Sequence, residues 1–247
     1  MQILMNLSGG GGGETSRLIA SLLDSIQELE SKLDFDNNNT LDFKALLASL
    51  PTPPAQGWDT IKLGEVCSFR RGPFGGSLKK EIFVSNGYKV YEQQHAIKNN
   101  FDIGSYFITE KKFNEMKNFE LLPDDLIVSC SGTIGKIAIV PKEAKRGIIN
   151  QALLRLRLTS TQTTSKSLKL ILDNLNNPFE EKAHGVALKN VANVEVLKAI
   201  KIPLPPLAAQ EKIISAIERI ELMINVAKER KETFQSKISS YIQNALC

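Results

Sequence analysis

Apolar residues recur at alternating intervals of four and three along the C-terminal part of the chain. The positions that follow this pattern are Ile213, Ile217, Ile220, Ile224, Ala227, Lys231, Phe234, Ile238, Tyr241 and Ala245. Neither glycine nor proline follows Pro206, so no helix-breaking residue interrupts the pattern. The stripe has the width of a coiled-coil seam rather than of a core-facing helix, and it predicts one long helix over 207–247.

We expect this helix to pair with a second helix. The residues predicted to form the pairing surface are Ile213, Ile217, Ile220, Ile224, Phe234, Ile238 and Tyr241. Lys231 is the polar exception on the seam, where it either extends to solvent or sets the register by meeting an acidic partner. The alternative is a helix that packs only against its own domain.

The middle of the chain has a different pattern. Short runs rich in β-branched, aromatic and aliphatic residues are separated by Gly, Pro, Asn and Asp, which is typical of strands and turns. These runs are IKLGEV, YKVYEQ, GSYFIT, DLIVSCSG, KIAIVP and NQALLRLRL. Helical patterns interrupt them around 110–118 and 165–175. The chain is therefore predicted to be an α+β protein, with one mixed domain over 56–206 followed by the long helix.

The first 55 residues predict a short helical segment and a linker. Five consecutive glycines, Gly9–Gly13, form a flexible joint, and Thr15 or Ser16 caps the helix that follows. The apolar positions of that helix are Ile19, Leu22, Ile26, Leu29 and Leu33. A second amphipathic piece covers roughly 41–50, and the proline-rich PTPPAQG at 51–57 marks the boundary of the middle domain.

Charge and composition narrow the class of protein. The net charge is +4, but residues 56–207 alone carry 22 basic and 15 acidic side chains, as expected of a surface that meets phosphates. No apolar stretch is long enough to span a membrane, and the N-terminus lacks the basic region of a signal peptide, so we expect a cytoplasmic protein. The three cysteines have no paired spacing, which argues against a structural metal site.

Enzyme motifs are incomplete. After the glycine run, Glu14 occupies the place where a P-loop needs lysine. Asn176–Phe179 departs from the Asn-Pro-Pro-aromatic pattern of amino-methyltransferases at Asn177, and a cofactor-binding glycine turn is lacking. A nucleophile motif of hydrolases is also missing. The adjacent carboxylates Asp124 and Asp125 are interpreted as residues of a turn before a strand.

Three segments carry candidate chemistry. Phe69–Lys80 places four cations and three glycines in one predicted loop, which either approaches DNA or is a solvated basic turn. Ser129–Lys136 has small hydroxyls, glycines and a lysine that either cradle a phosphate or form a tight hairpin, and the hairpin is the favoured interpretation. Ile202–Ile213 begins with an extended proline segment that either joins the domain to the helix or serves as a ligand for another domain.

Together these segments resemble the specificity subunits of type I restriction-modification systems. The resemblance covers 58 to about 224. The motifs, in chain order, are W-x-x-x-x-L-G-E-V at 58–66, R-G-P-F-G-G-S-L-K at 71–79, G-Y-x-V-Y at 87–91, L-x-x-D-D-L-I-V-S-x-S-G-T-I-G-K at 121–136, Asn150-Gln151-Ala152, and I-P-L-P-P-L-x-x-Q-x-x-I at 202–213.

The resemblance implies a non-catalytic subunit of a DNA-modifying complex. Full-length members have two recognition domains and two long helices that set the distance between them, and each domain reads half of a split DNA site. Modification subunits that bind S-adenosylmethionine dock on the helices, and a translocating restriction subunit completes the enzyme. This chain has one domain and one helix, so we expect a homodimer that reads a split palindrome and has no cofactor of its own.

The residues predicted to contact double-stranded DNA are Arg70, Arg71, Lys79, Lys80, Gln93, Gln94, His95, Ser131, Thr133 and Lys136. Arg70 or Arg71 suits guanine and the two glutamines suit adenine, whereas the lysines suit phosphate. Asn150 and Gln151 are left open between scaffold and base reading. Two other functions compete with this one: an assembly element that docks methyltransferase without binding DNA productively alone, and a self-sufficient enzyme, against which the incomplete motifs argue.

Overall fold

The computed structural model of the protein describes residues 45–73, 75–175, 179 and 194–246. The predictions for the glycine run, for the helix at 19–33 and for Asn176–Pro178 lie outside the described residues. The strands are β1 Thr60–Lys62, β2 Cys67–Arg71, β3 Tyr88–Tyr91, β4 Phe107–Ile108, β5 Glu120–Leu121, β6 Leu126–Ser129, β7 Ile137–Ile139, β8 Gly147–Ile149, β9 Leu153–Leu158 and β10 Lys201–Pro203. The helices are α1 Leu63–Val66, α2 Gln93–Lys98, α3 Glu110–Glu115, α4 Ser165–Asn174, α5 Val194–Lys198 and α6 Leu207–Leu246.

The described residues divide into two compact units. One unit covers 58–205 and holds all ten described strands. The other contains the described residues before 58, of which 45–48 are helical, together with α6. The fold class is thus the predicted one, a mixed α+β arrangement followed by one long helix. The exact domain boundaries at 55 and 206 stay a prediction.

The largest packed layer of the 58–205 unit is an antiparallel sheet with the strand order β2-β9-β6-β7. One face of this sheet packs Leu126, Val128, Leu154 and Leu156 against Leu168 of α4, among other buried residues. Residues of the opposite face, such as Ile127, Ala138 and Leu153, pack against Tyr91 and Ile149 of a second sheet. Strands buried on both faces explain why LIVS at 126–129 reads as a continuous apolar run.

The second sheet is mixed and has the order β4-β3-β8-β5. Its two central strands, β3 and β8, run parallel, and the other pairs are antiparallel. Gly147, the first residue of β8, lies very close to the backbone of β3. A Cβ at this position would be 2.0 Å from the Lys89 carbonyl oxygen. A third, two-stranded ribbon pairs β1 with β10 in antiparallel register, Ile61 opposite Ile202.

Arginine side chains of β9 connect the two larger sheets. Arg155 donates from Nη1 to the Glu120 carbonyl oxygen at 2.5 Å, and Arg157 reaches the same oxygen from Nη2 at 3.2 Å. Arg157 also holds the buried carboxylate of Asp125 through two contacts of 2.7 Å. The second carboxylate oxygen of Asp125 accepts from the Leu122 backbone N–H at 2.7 Å. Hydrogen bonding to Asp125 raises the pKa of the Arg157 guanidinium, so Arg157 stays charged at neutral pH.

Three predictions, two for strands and one for a loop, are wrong in detail. IKLGEV is not one strand: β1 ends at Lys62, and 63–66 form the helical turn α1, in which Leu63 and Val66 are buried. YKVYEQ ends as a strand at Tyr91, and α2 begins at Gln93. The predicted loop over 69–80 begins inside β2, because Phe69–Arg71 pair with Leu154–Leu156 of β9.

The long helix is present as predicted and covers Leu207–Leu246. With a rise of about 1.5 Å per residue it is roughly 60 Å long. Ala216 and Ile220 are buried on one face, where Leu46 and Leu50 of the same unit pack against them. Leu222 and Val226 are exposed, at 64% and 41%. No helix in the described part of the chain is long and apolar enough to cross a membrane.

Removing the buried carboxylate between the sheets should destabilise the protein. Asp125→Asn leaves Arg157 without its counter-charge, and we expect a loss of about 3 kcal/mol in the free energy of unfolding. Asp173→Asn removes the same charge from an exposed i,i+4 pair with Lys169 and should lose less than about 1 kcal/mol. Urea unfolding followed by circular dichroism measures both, and equal losses would contradict the role given to Asp125.

Candidate nucleic-acid interface

Three chain connections meet at one edge of the antiparallel sheet. They are the residues after β2, the β6–β7 hairpin and the turn before β9, and we call 72–73, 130–136 and 150–152 the loop edge. The Gly72 backbone N–H donates to the Leu153 carbonyl oxygen at 3.0 Å, and the Cys130 N–H donates to that of Ala152 at 2.8 Å. The strand register therefore brings together segments that are up to 80 positions apart in the sequence.

The loop edge requires glycine at position 72. A Cβ on Gly72 would lie 1.8 Å from the carbonyl oxygen of Asn150, which is a backbone atom and cannot rotate away. The Asn150 side chain accepts from the Ala152 N–H at 3.0 Å and so shapes the turn. This contact favours the scaffold interpretation of Asn150. The neighbouring Gln151 is exposed.

The segment at 129–136 forms the tight hairpin that the sequence favoured. The Ser129 hydroxyl donates to the Thr133 carbonyl oxygen at 2.6 Å and accepts from the Lys136 N–H at 2.9 Å. Gly132 and Gly135 have φ values of 64° and 81°, which glycine adopts without strain. Ser129 thus serves the turn, while Thr133 and Lys136 are exposed and Ser131 is half-buried.

Arg71 extends the polar surface of the loop edge. It is the last residue of β2, is half-buried, and donates from Nε to the Gln151 carbonyl oxygen at 3.3 Å. This bond uses one of the five donor positions of the guanidinium fork. Arg71 therefore lies with Ser131, Thr133 and Lys136 in one part of the unit.

The two glutamines lie on α2, next to the loop edge. The Asn150 N–H donates to the Tyr91 carbonyl oxygen at 2.9 Å, which ties the start of the turn to the end of β3. The amide of Gln94 donates to the Glu92 carboxylate at 2.9 Å. In contrast, Oε1 of Gln93 is buried and has no hydrogen-bond partner in the described part of the chain. Both glutamines are half-buried.

His95 has a structural environment. Its side chain is fully buried, its Nε2 lies 2.8 Å from the Ile103 carbonyl oxygen, and its Nδ1 lies 2.9 Å from the Glu92 backbone nitrogen in the cap of α2. The ring also contacts Tyr91 edge-on, with centroids 5.0 Å apart. Because both ring nitrogens have partners inside the domain, this geometry does not support the predicted contact between His95 and DNA.

The remaining predicted cations lie elsewhere. Arg70 precedes Arg71 in β2 and projects from the opposite face of the sheet, beside Arg155. Lys79 and Lys80 are exposed, and their neighbours Leu78 and Ile82 pack against the core of the mixed sheet. The prediction that the four cations of Phe69–Lys80 share one loop is therefore wrong, because Arg70 and Arg71 belong to β2 and a 3-10 turn over Gly75–Leu78 separates them from Lys79 and Lys80.

Two arginines were missed by sequence reasoning. Arg155 and Arg157 lie on the same face of β9 and are the polar links between the sheets. The signal was present in the alternating LRLRL of 154–158, because alternation in a strand places both arginines on one face. The pattern by itself predicts a strand but not what the two arginines contact.

The predicted pairing residues of the long helix have mixed exposure. Ile220 is buried, and Ile213, Ile217 and Ile224 are half-buried. Ile224 packs with Leu46 and Leu50, so part of the predicted seam contacts the same chain. The side chains of Phe234, Ile238 and Tyr241 lie outside the described residues, and Lys231 is exposed.

Other chemistry in the unit is structural. Burial raises the pKa of the Cys67 and Cys130 thiols to about 12, which makes both poor nucleophiles at neutral pH. No group of three or more His, Cys, Asp or Glu side chains suited to a metal ion is found among the described residues. Asp124 adopts a left-handed conformation with φ 66° in the turn before β6, as the sequence indicated for this pair of carboxylates.

Comparison with known proteins identifies the family. Residues 55–235 match the family described as the type I restriction modification DNA specificity domain. The fold is similar to the HsdS subunit from Thermoanaerobacter tengcongensis, with a TM-score of 0.53, 20% identity, and coverage of 88% of this chain and 53% of that chain. It is also similar to a chain from a type I R-M system described for its complex assembly and conformational transition, with a TM-score of 0.56, 20% identity, and coverage of 91% and 55%.

The chain belongs to the type I restriction modification DNA specificity domain family, because the match covers most of its length. It spans about half the length of the solved chains to which it is similar. The family is defined by DNA specificity rather than by catalysis, in agreement with the prediction of a non-catalytic subunit.

A side chain at Gly72 should disrupt the loop edge. Gly72→Ala forces two backbone segments apart, and we expect a loss on the order of 1–3 kcal/mol in the free energy of unfolding, measured by urea titration. Gly76→Ala is the control, because its Cβ would meet the far end of the Lys79 side chain, which can rotate away. That variant should stay within about 0.5 kcal/mol of the parent protein, and a neutral Gly72→Ala would show that the close approach is not required.

Proposed function

We propose that this chain reads a DNA half-site as the non-catalytic specificity subunit of a type I restriction-modification complex. The observation that carries the proposal is the family match over 55–235, which covers the whole unit that contains the loop edge. The loop edge and the adjacent Arg71 support it, because together they present a guanidinium, hydroxyls, the exposed amide of Gln151 and a lysine. Those are the groups that read base edges and neutralise phosphates.

The side chains of the loop edge suit different parts of DNA. The Arg71 guanidinium, whose Nε donates to the Gln151 carbonyl oxygen, suits a guanine edge. Thr133 and Ser131 donate to or accept from bases or phosphates, and Lys136, at the base of the hairpin, suits a phosphate. Lys79 and Lys80 remain candidates for phosphate contacts from a separate part of the unit.

Gln93 is the better adenine reader of the two glutamines. An adenine edge offers a donor at N6 and an acceptor at N7, which match the carbonyl and the amine of one glutamine amide. The Gln94 amide is engaged by Glu92, whereas the Gln93 carbonyl oxygen lacks a partner in the described part of the chain. Because an unpaired buried acceptor is unfavourable, rotation of this side chain onto a base donor removes a penalty.

The assembly follows from one recognition unit and one long helix. We propose that two copies pair through the seam of α6 and present two identical units to a split palindromic site. Modification subunits carrying S-adenosylmethionine dock on this scaffold, and a restriction subunit joins through the complex, which works in the cytoplasm on double-stranded DNA. The 56–206 region is the recognition domain in this arrangement, and 207–247 is the spacer.

A second function remains in competition. The chain would act only as an assembly element if it dimerised and docked methyltransferase without binding DNA productively alone. The long helix, with the exposed Leu222 and Val226, is the observation that favours this alternative. Gel-shift titration of the purified chain separates the two functions, because DNA reading requires an affinity that falls steeply with salt and exceeds that for unrelated duplexes.

Substituting the unpaired glutamine should change the base preference at one position. A target is first selected with the parent chain from a pool of random duplexes. Gln93→Ala should then lose about 1–3 kcal/mol of discrimination at one A·T pair and keep it elsewhere. Gln94→Ala is the control and should lose less, since its amide is held by Glu92. An unaltered selection profile for Gln93→Ala would remove this residue from the readers.

The seam of the long helix should control the oligomeric state. Light scattering of the full chain should give the mass of a dimer. Ile238→Asp places a charge on the predicted seam and should give a monomer, whereas Ser239→Asp, one position away, should leave the dimer intact. Truncation at Leu207 should also give a monomer. A parent chain that is already monomeric would exclude homodimerisation and point to assembly with a different subunit.

A further inference from the structure

Three arginines lie on the face of β2 and β9 that is turned toward the mixed sheet. Arg70 of β2 lies directly opposite Arg155 of β9, and Arg157 lies two residues further along β9, opposite Ser68. All three project from the same face of the antiparallel sheet. We call Arg70, Arg155 and Arg157 the arginine cluster.

The nearby acidic side chains pair with only one of the three arginines of this cluster. Both oxygens of Asp125 are held by Arg157. The carboxylate of Glu120 is held by Arg146 at 2.7 Å, and only its backbone carbonyl oxygen faces Arg155. Among the described residues this leaves Arg155 and Arg70 without a carboxylate partner.

Arg155 is a buried cation in an unfavourable field. It is 9% exposed, and its Nε has no hydrogen-bond partner in the described part of the unit. Burial, followed by the neighbouring Arg157, lowers the pKa of its guanidinium; Asp125 and Glu120 act in the opposite direction, Arg70 in the same one, and the net shift is downward. Like charges that face each other across two strands are destabilising. Arg155 therefore has backbone carbonyl partners but no carboxylate of its own, so its positive charge is not paired.

Arg70 is the member of the cluster that reaches solvent. It is exposed, and no hydrogen bond or ion pair within the described residues engages it. Ser68, two residues earlier on the same face, is also exposed. The arrangement presents a free guanidinium fork with a hydroxyl beside it and a buried positive charge beneath it. That combination matches a tetrahedral oxyanion, to which arginine binds through two parallel hydrogen bonds.

We propose that the arginine cluster binds a backbone phosphate of the DNA, with Arg70 as the contacting residue and Arg155 as the buried charge behind it. The inference rests on the proposed function and adds a phosphate site that is distinct from the loop edge. Its location fits, because Arg70 is two residues from Gly72 and therefore about 7 Å from the loop edge along the strand. The major groove of DNA is about 12 Å wide, so a duplex whose base edges meet the loop edge has a phosphate backbone within reach of Arg70. Arg70 thus positions the DNA and does not select guanine.

The test uses the full chain and a duplex of unrelated sequence, since a phosphate contact does not depend on bases. Affinity is measured against salt concentration for the parent chain, Arg70→Gln, Arg70→Lys and Lys62→Gln. Lys62 is an exposed lysine on β1 and is the matched control for loss of one charge. Arg70→Gln should reduce the slope of log K against log salt by about 0.9 for each chain bound. Arg70→Lys and Lys62→Gln should keep the parent slope.

The outcomes separate this inference from the proposed function. A parent chain without salt-dependent DNA binding overturns both. A parent chain that binds, with an Arg70→Gln variant of unchanged slope, overturns the phosphate site alone. Urea unfolding gives a second readout: since Arg70 faces a like charge, Arg70→Gln should unfold at a midpoint no lower than that of the parent. A large loss of stability would show that Arg70 is structural and would also overturn the proposal.

Discussion

One buried carboxylate holds the two larger sheets of the 58–205 unit in register. Asp125 is almost completely buried, and it binds Arg157 of the antiparallel sheet and the backbone that follows β5 of the mixed sheet. Such a group is tolerated in a protein interior only when its charge is paired and its lone pairs are used, and here both conditions are met. Arg157, which satisfies it, also donates to the Glu120 carbonyl oxygen of β5, as does Arg155.

The position of the loop edge follows from this connection. The antiparallel sheet fixes where β2, β6 and β9 end, and Gly72 allows the backbone after β2 to touch the turn at Asn150. The mixed sheet then brings Tyr91, and with it the start of α2, to the same turn. Polar side chains from four sequence segments therefore share a rigid support. Rigid support matters for recognition, because a base-reading group loses little conformational entropy when it is already held in place.

The sequence predicted the elements that local chemistry decides. The hairpin at 129–136 depends on two glycines with positive φ and a serine that bonds across the turn, and such residues are recognisable without tertiary information. The same holds for the uninterrupted helix after Pro206. The family resemblance rested on motifs that largely form scaffold, as the hydrogen bonds of Asn150 and Ser129 illustrate.

The features that the sequence did not predict depend on contacts between residues that are far apart in the sequence. LGEV at 63–66 reads as a strand, but its Leu and Val are buried by a helical turn against distant residues of the core. In the sequence His95 has the character of a residue that contacts DNA at the surface. The fold instead buries it, with Ile103 and Glu92 as the partners of its two ring nitrogens. Arg70 and Arg71 are adjacent in the sequence, but their side chains lie on opposite faces of the antiparallel sheet. This separation is seen only once β2 is known to pair with β9.

The ribbon of β1 and β10 gives the 58–205 unit a modular character. Thr60 lies opposite Pro203 and Lys62 opposite Lys201, so the first and last strands of the unit are hydrogen-bonded to each other. The points where the chain comes in and goes out are then only about 5 Å apart. Any stretch that replaced the residues between these strands would have to match this one spacing at its two ends, whereas the ribbon places no constraint on its length.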